Sequence, residues 1–356
     1  MPRQRRPGHA TLQVNVRTLN KCGDPPHKWC CGLESEMTRA EPPQGFTIAA
    51  GEMAPGSPVH RFSHDAMGSI FEILIAGEEA AYARQAVTAA FDELDRLYRE
   101  LNRFSASSDV SQIGALAAGQ SVRVGLATFE CLQAAAQVWA ETGGAFDVTV
   151  GRLMALWRPK DGSTPNPTAE DLAAARASTG MHLLELREAD YSVAVKADGV
   201  RIDLGGIGKG YAVDQMAALL AEWSIRAALI HGGQSSLLAV GAPPGRDSWG
   251  LSLCDPDDES RSLGQVHARD QAVSSSGVSP TYRHVIDPRT GLPATPNDNA
   301  WAMLGSGTIA DALTTAFLVM SPAEVEQYCG QHPDVSVMLL RRLPGGGREI
   351  LRFGRW

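Results

Sequence analysis

The chain has 356 residues, 44% of them apolar and 20% charged, with a formal net charge of −8. That composition describes a globular protein able to bury a core without disulfide staples. It excludes a nucleic-acid binder that works by bulk positive charge, and no apolar run reaches the roughly 18 residues of a membrane span.

Residues 1–58 carry Pro2, Pro7, Pro25, Pro26, Pro42, Pro43, Pro55 and Pro58 without a hydrophobic period. They are expected to be a poorly ordered extension ahead of a globular domain over 59–356. The basic start, Met1 to Arg6, is followed by no apolar stretch and no small-residue cleavage site. Export is therefore not expected, and a cytoplasmic location is. Of six cysteines, Cys22, Cys30 and Cys31 fall in the extension. Cys131, Cys254 and Cys329 are scattered without metal-ligand spacing and read as reduced thiols.

Gly68 to Ile75 reads as a strand. Val87, Phe91, Leu94, Tyr98 and Leu101 fall at steps of three and four, one apolar face of a helix ending near Asn102. A second helix runs from Ala127 to Glu141 and stops at Gly143-Gly144. Residues 158–168, with Pro159, Pro165 and Pro167, form a loop, and Glu170 to Ala177 is a short helix. Tyr191–Val195 and Val200–Asp203 read as strands around a Lys-Ala-Asp-Gly turn. A helix over Lys209–Trp223 follows. Arg226–Ile230, Ser236–Val240, Trp249–Leu253 and Gln271–Ser274 are strand candidates. Ile309–Met320 and Ala323–Cys329 read as helices, and Val335–Leu340 and Glu349–Phe353 as closing strands. The elements interleave without a strict βαβ rhythm, which favours an α+β fold.

The densest chemical signal is Arg201-Ile-Asp-Leu-Gly-Gly-Ile-Gly-Lys-Gly-Tyr-Ala-Val-Asp214. A strand ends in Asp203, a glycine-rich turn follows, and Lys209 opens a helix. Bare glycines let backbone approach a ligand, and helix N-terminal amides with a Lys ammonium suit a phosphate or pyrophosphate. The run is not a Walker loop, which needs Gly at 203 and Ser or Thr at 210; nor does Gly206-x-Gly208-x-Gly210 match the dinucleotide fingerprint. A glycine-rich turn with a solvated Lys fits these residues equally.

In Thr308-Ile-Ala-Asp-Ala-Leu-Thr-Thr-Ala-Phe317, Asp311 and Thr315 are four apart and share a helix face. Both offer the hard oxygens that Mg²⁺ prefers. The same stretch also reads as a helix start, with Thr308 as cap and Asp311 in the first turn. His284, in Tyr282-Arg-His-Val-Ile-Asp-Pro-Arg-Thr-Gly291, titrates near neutrality and suits a base for a hydroxyl; it suits a structural turn as well. Gly144-Ala-Phe-Asp-Val-Thr-Val-Gly151 places Asp147 beside Phe146, and Met67 offers a polarizable side chain against a flat ring.

Taken in order, these segments resemble the ApbE-like family, the FAD:protein FMN transferases, over about residues 60 to 340. The pieces that carry the resemblance are His64 to Gly68, Leu101-Asn-Arg-Phe104, Gly144 to Gly151 with Leu156-Trp157, Ile202 to Asp214, His284 to Gly291 and Ala310 to Ala316. The resemblance implies an α+β fold of two subdomains with FAD in the cleft between them. It implies FAD contacts at Met67, Ala145, Phe146, Asp147, Asp203, Lys209 and Ile286, or Val285 in place of Ile286. It implies Mg²⁺ held by the side chains of Asp311 and Thr315 and the backbone carbonyl of Gly206. His284 and Asp311 are the implied catalytic residues. The implied reaction takes FAD as substrate, moves its FMN half to a Thr or Ser hydroxyl and releases AMP. Acceptors in the family carry a Ser/Asp-Gly-x-x-Gly/Ser-Ala-Thr segment; this chain has none, so a separate acceptor protein is expected, with no nucleic-acid partner. Thr308, Arg152 and His231-Gly-Gly-Gln-Ser depart from the commoner family pattern. Two rivals share the machinery: an FAD pyrophosphatase giving FMN and AMP, and a non-catalytic flavin carrier.

Overall fold

Interleaved strands and helices build a mixed α and β fold, seen in a computed structural model that describes residues 46–48, 58–158, 165–278, 285–343 and 345–356. Most of the expected N-terminal extension, with Cys22, Cys30 and Cys31, lies outside the described residues. One part of it does not: Phe46–Ile48 forms a strand, β1.

The chain then runs through β2 (Val59–Ala66), β3 (Ser69–Ala76), α1 (Ala80–Leu101), α2 (Asp109–Gly114), β4 (Ser121–Arg123), α3 (Leu126–Glu141), α4 (Gly151–Trp157) and α5 (Ala169–Arg176). Next come β5 (Leu184–Arg187), β6 (Ser192–Val195), α6 (Gly208–Glu222), β7 (Ala228–Gly232), β8 (Ser236–Val240), β9 (Trp249–Asp255), β10 (Asp258–Ala268) and β11 (Gln271–Gly277). The last third holds β12 (Ile286–Asp287), β13 (Leu292–Pro293), β14 (Asn299–Leu304), α7 (Gly307–Val319), α8 (Pro322–Gln331), β15 (Ser336–Arg342) and β16 (Arg348–Phe353).

Eight strands form one antiparallel sheet in the order β16-β15-β14-β11-β8-β7-β3-β2. Because side chains alternate across a strand, each strand feeds two layers. Phe71, Ile73 and Ile75 of β3 join the main core with Leu94 of α1, Met216 of α6 and Phe317 of α7. On the other face Leu74, Leu229, Leu237 and Trp301 pack against Trp249, Leu251, Leu253 and Val266 of the β1-β9-β10 sheet. Each such side chain, fully buried, contributes roughly 1.5–3 kcal/mol. A smaller sheet, β4-β6-β5, accompanies α2 to α5. Residues Glu41–Trp356 form one compact unit. Among the described residues no helix is long and apolar enough to cross a membrane.

Local chemistry explains the helix ends. The N–H of Gly144 donates to Trp139 O at 2.8 Å, and Gly143 and Gly144 take φ values of 57° and 78°, which ends α3 where expected. Thr168–Asp171 and Ser321–Glu324 are capping boxes for α5 and α8. Three sequence expectations are corrected. The buried line of α1 runs through Ala83, Ala86, Val87, Ala90, Leu94, Leu97 and Leu101, so Tyr98 faces outward. Val200–Asp203 is not a strand. It makes only a short parallel bridge to the segment before α4, through Gly151 N–H to Arg201 O and Asp203 N–H to Val148 O, because that partner turns at once into a helix. The cap of α7 is Ser306, whose hydroxyl accepts from Ile309 N–H, and not Thr308.

Candidate functional site

The glycine-rich turn leads into α6, and α7 crosses it at the start of both helices. The crossing is close because both contact residues are glycines. A Cβ on Gly210 would lie inside van der Waals contact of the Gly307 carbonyl and 2.6 Å from Asp311 Cβ. A Cβ on Gly307 would lie 2.8 Å from Asp214 Oδ1. Two carboxylates bind the helices to each other. Asp311 Oδ2 accepts from Gly210 N–H at 2.9 Å. Asp214 accepts from Gly307 N–H at 2.7 Å and from Thr308 N–H and Oγ1 at 2.9 and 2.7 Å. Ser306 Oγ also donates to Asp214, at 2.9 Å.

This crossing brings Gly206, Lys209, Asp311 and Thr315 together. The site where a Gly206 side chain would begin is 2.8 Å from Thr315 Oγ1 and 3.4 Å from the Phe146 ring. Asp311 is 2% exposed. Burial pushes its pKa up, while the Lys209 ammonium, the Gly210 N–H and the nearby Ser236 hydroxyl pull it down. Thr315 is half-buried, and Gly205, the chain neighbour of Gly206, is exposed. The arrangement therefore has a buried carboxylate at its inner end and a solvent-exposed glycine at the turn.

The stretch Ala145-Phe146-Asp147 lies alongside, held by the short bridge between 148–151 and 201–203. Its Asp147 carboxylate is committed internally. Oδ1 accepts from Thr149 N–H and Oγ1 at 2.8 and 2.6 Å, and Oδ2 accepts from Met181 N–H at 3.1 Å. Burial raises its pKa and the Thr149 bonds oppose that. Asp203 is held at both oxygens too: Gly205 N–H donates to Oδ1 at 2.8 Å, and Arg103 Nη1 lies 3.1 Å from Oδ2. The Arg103 guanidinium also stacks on Phe104, which is 83% exposed.

Met67 sits in a hairpin turn. Met67 and Gly68 take φ values of 52° and 70°, the left-handed pair of a two-residue type I′ turn between β2 and β3. The next residue, Ser69, meets the Lys209 stem at Gly233, whose missing side chain leaves room for both. Ile286 packs with Leu153 and Ala175 in a small satellite core, whereas its neighbour Val285 joins the main core. His284 lies outside the described residues.

The donors gathered at the α6–α7 crossing are carboxylate, hydroxyl and carbonyl oxygens. Among the described residues no group of three or more His, Cys, Asp or Glu could hold a metal. A thin, all-oxygen set does not fit zinc; it fits Mg²⁺, which completes its shell with water and phosphate oxygens.

The model of the ApbE family matches residues 67–339. This chain belongs to the ApbE family. Among curated ApbE-type relatives it is 26% identical over 313 residues to an FAD:protein FMN transferase of Klebsiella pneumoniae, covering 83% of this chain and 85% of that protein. It is 28% identical over 322 residues to one of Vibrio cholerae, covering 85% and 93%. The solved structures of ApbE flavin transferases from Vibrio cholerae and Pseudomonas stutzeri superpose with TM-scores of 0.75 and 0.74 at 23% and 24% identity. Each covers 83% of this chain, and 97% and 95% of the respective partner. These two likenesses show that the fold is that of the ApbE flavin transferases.

Two residues at the crossing and the turn make contacts that no local sequence pattern signals. Asp214 ends the glycine-rich motif, but its partners are about 90 positions away on α7, beyond any local pattern. Arg103 lies in the Leu101-Asn-Arg-Phe104 segment, and only the fold sets it against Asp203.

Proposed function

We propose that this protein transfers FMN from FAD to a Thr or Ser hydroxyl of a separate acceptor protein, with Mg²⁺ as cofactor and AMP as leaving group. Membership of the ApbE family and the names of its relatives support the reaction. The observation that carries the site assignment is the meeting of Gly206, Lys209, Asp311 and Thr315 at one helix crossing, next to a turn exposed at Gly205.

In this reading FAD lies between the part built on β4-β6-β5 and the large sheet, with its pyrophosphate at the glycine-rich turn. Asp311, Thr315 and the Gly206 carbonyl would hold the ion. When bound there, Mg²⁺ supplies charge neutralisation on the pyrophosphate and on the departing AMP. Lys209 adds a fixed positive charge to the same oxygens. Phe146 closes the site beside Gly206, and Met67 and the Ile286–Val285 segment border the flavin half. Asp203, oriented by Arg103 and Gly205, offers acceptor oxygens to the nucleotide. The acceptor hydroxyl attacks the FMN phosphorus, the bond to the AMP oxygen breaks, and His284 takes the hydroxyl proton. Phosphoester-linked FMN stays on the partner.

Incubation with FAD, Mg²⁺ and a peptide carrying the family's acceptor segment tests this. Flavin attached to the peptide, with one AMP released per flavin, is the expected result. Free FMN and AMP with an unmodified peptide would make the protein a pyrophosphatase, and unchanged FAD would make it a carrier.

A further inference from the structure

Beneath α7 runs a row of hydroxyls that the transfer chemistry leaves unused. Ser236 of β8 stands directly opposite Ser274 of β11, so both side chains leave the same face of the sheet. Ser276, two residues on, shares that face. Its Oγ lies 2.9 Å from Thr314 Oγ1 and 3.5 Å from Thr315 Oγ1. At the other end the Ser236 hydroxyl lies close to the Asp311 carboxylate, in a contact that falls short of full hydrogen-bond geometry. The row therefore spans the helical turn from Asp311 to Thr315.

Ser236 is 1% exposed and Ser274 is 0% exposed, and among the described residues neither hydroxyl has a partner in full hydrogen-bond geometry. A buried hydroxyl left unpaired costs about 1–3 kcal/mol. Ala at either position would avoid that cost; each serine has an apolar neighbour on one side, Leu237 and Val273, and a further serine on the other, Ser235 and Ser275. Two such hydroxyls side by side, next to a buried carboxylate that accepts the Gly210 N–H, are suited to a partner that the polypeptide alone does not supply. Hydroxyls of this kind hold the water ligands of a hard cation and orient its carboxylate.

We propose that Ser236 and Ser274 are positioning residues of the divalent-ion site, fixing the Asp311 carboxylate and the ion's water, while Ser276 aligns Thr315. This rests on the assignment of the ion to Asp311 and Thr315. It adds to that assignment a hydroxyl floor that sets the affinity.

Mn²⁺ titration of the full chain without FAD, followed by electron paramagnetic resonance, tests the proposal. S236A/S274A is expected to bind Mn²⁺ about 10–100-fold more weakly than the wild type. Its FAD affinity in EDTA should be unchanged, and its melting temperature in EDTA equal or higher, since two unpaired hydroxyls are gone. Wild-type Mn²⁺ affinity in the folded double variant overturns the inference. So does a lowered melting temperature in EDTA with equal losses of Mn²⁺ and FAD binding, which marks a purely structural role. Should the double variant not fold, the near-isosteric S236C and S274C are read by the same criteria. D311A separates this inference from its foundation: Mn²⁺ binding unchanged by D311A overturns the ion assignment itself, and the floor with it.

Discussion

Asp214 and Asp311 cap each other's helices. Asp214, on α6, accepts the N–H groups of Gly307 and Thr308 that open α7; Asp311, on α7, accepts the N–H of Gly210 in the first turn of α6. Each carboxylate sits at the positive end of the partner's dipole, where a negative charge is stabilised. The exchange fixes how α6 lies on α7, and hence how Lys209 lies relative to Asp311 and Thr315.

Asp214→Asn tests the first half of this exchange. Oδ2 of Asp214 accepts from Ser306 Oγ, Thr308 N–H and Thr308 Oγ1, and Oδ1 from Gly307 N–H. An amide nitrogen must turn a donor toward one of these donors. A loss of roughly 2–4 kcal/mol is expected, read by urea denaturation. FMN transfer should fall as well, because the crossing loosens. An unchanged denaturation midpoint would contradict the role.

Gly210→Ala tests the crossing by volume. The new methyl group meets the Gly307 carbonyl and lies 2.6 Å from Asp311 Cβ, backbone and a rigid side-chain stem that cannot rotate away. The helices must part, at a cost of about 2–3 kcal/mol. Activity should drop further than stability, since the parting separates Asp311 from the glycine-rich turn. A variant that melts and turns over like the wild type would show that the crossing accommodates a methyl group.

Arg103→Ala leaves the Asp203 carboxylate without its cation beside a ligand that is itself negative. FAD binding should weaken by roughly tenfold, about 1.4 kcal/mol, by fluorescence titration in EDTA. Arg103→Lys should fall between the two, because an ammonium keeps the charge and loses the fork. Equal affinities in all three proteins would remove Arg103 from the nucleotide seat.

His231 makes stability depend on pH. Burial lowers its pKa from 6.5 to about 4, with Arg61 acting the same way and Glu72 opposing. The unfolded chain therefore takes up this proton first as pH falls. Stability contributed by the neutral ring is present above pH 6.5 and is lost as pH drops toward 4. Melting temperatures measured across that window should fall for the wild type and fall less for His231→Gln. Identical slopes would assign the acid sensitivity elsewhere.

The sequence was most readable where spacing alone encodes proximity. Asp311 and Thr315 share a helix face because they are four apart, and Gly143-Gly144 ends α3 because glycine takes the left-handed conformation cheaply. The α+β class followed from the same patterns. Pairings between distant segments were not readable. Phe71 stands opposite Gly232 in the sheet and Asp203 bonds Val148, and no local pattern announces either. Val200–Asp203 has strand-like residues, but tertiary context gives it only a two-bond bridge. Strands β10 and β14 escaped notice because Asp258–Ala268 is largely polar, with a bulged register, and Asn299–Leu304 is an apolar run without alternation. At the site, the glycine-rich turn and the Asp311–Thr315 pair were legible; Asp214, Arg103 and the serine row depend on which helix and strand come to lie against them.

The mutual capping also equips the protein with its own gauge. The amides of Gly210 and Gly307 are each sealed by a carboxylate from the opposite helix, so deuterium reaches either one only when the two helices separate. Their exchange rates, followed together, report how often the crossing beneath the exposed turn at Gly205 loosens. Any ligand that staples α6 to α7 will slow both clocks by the same factor.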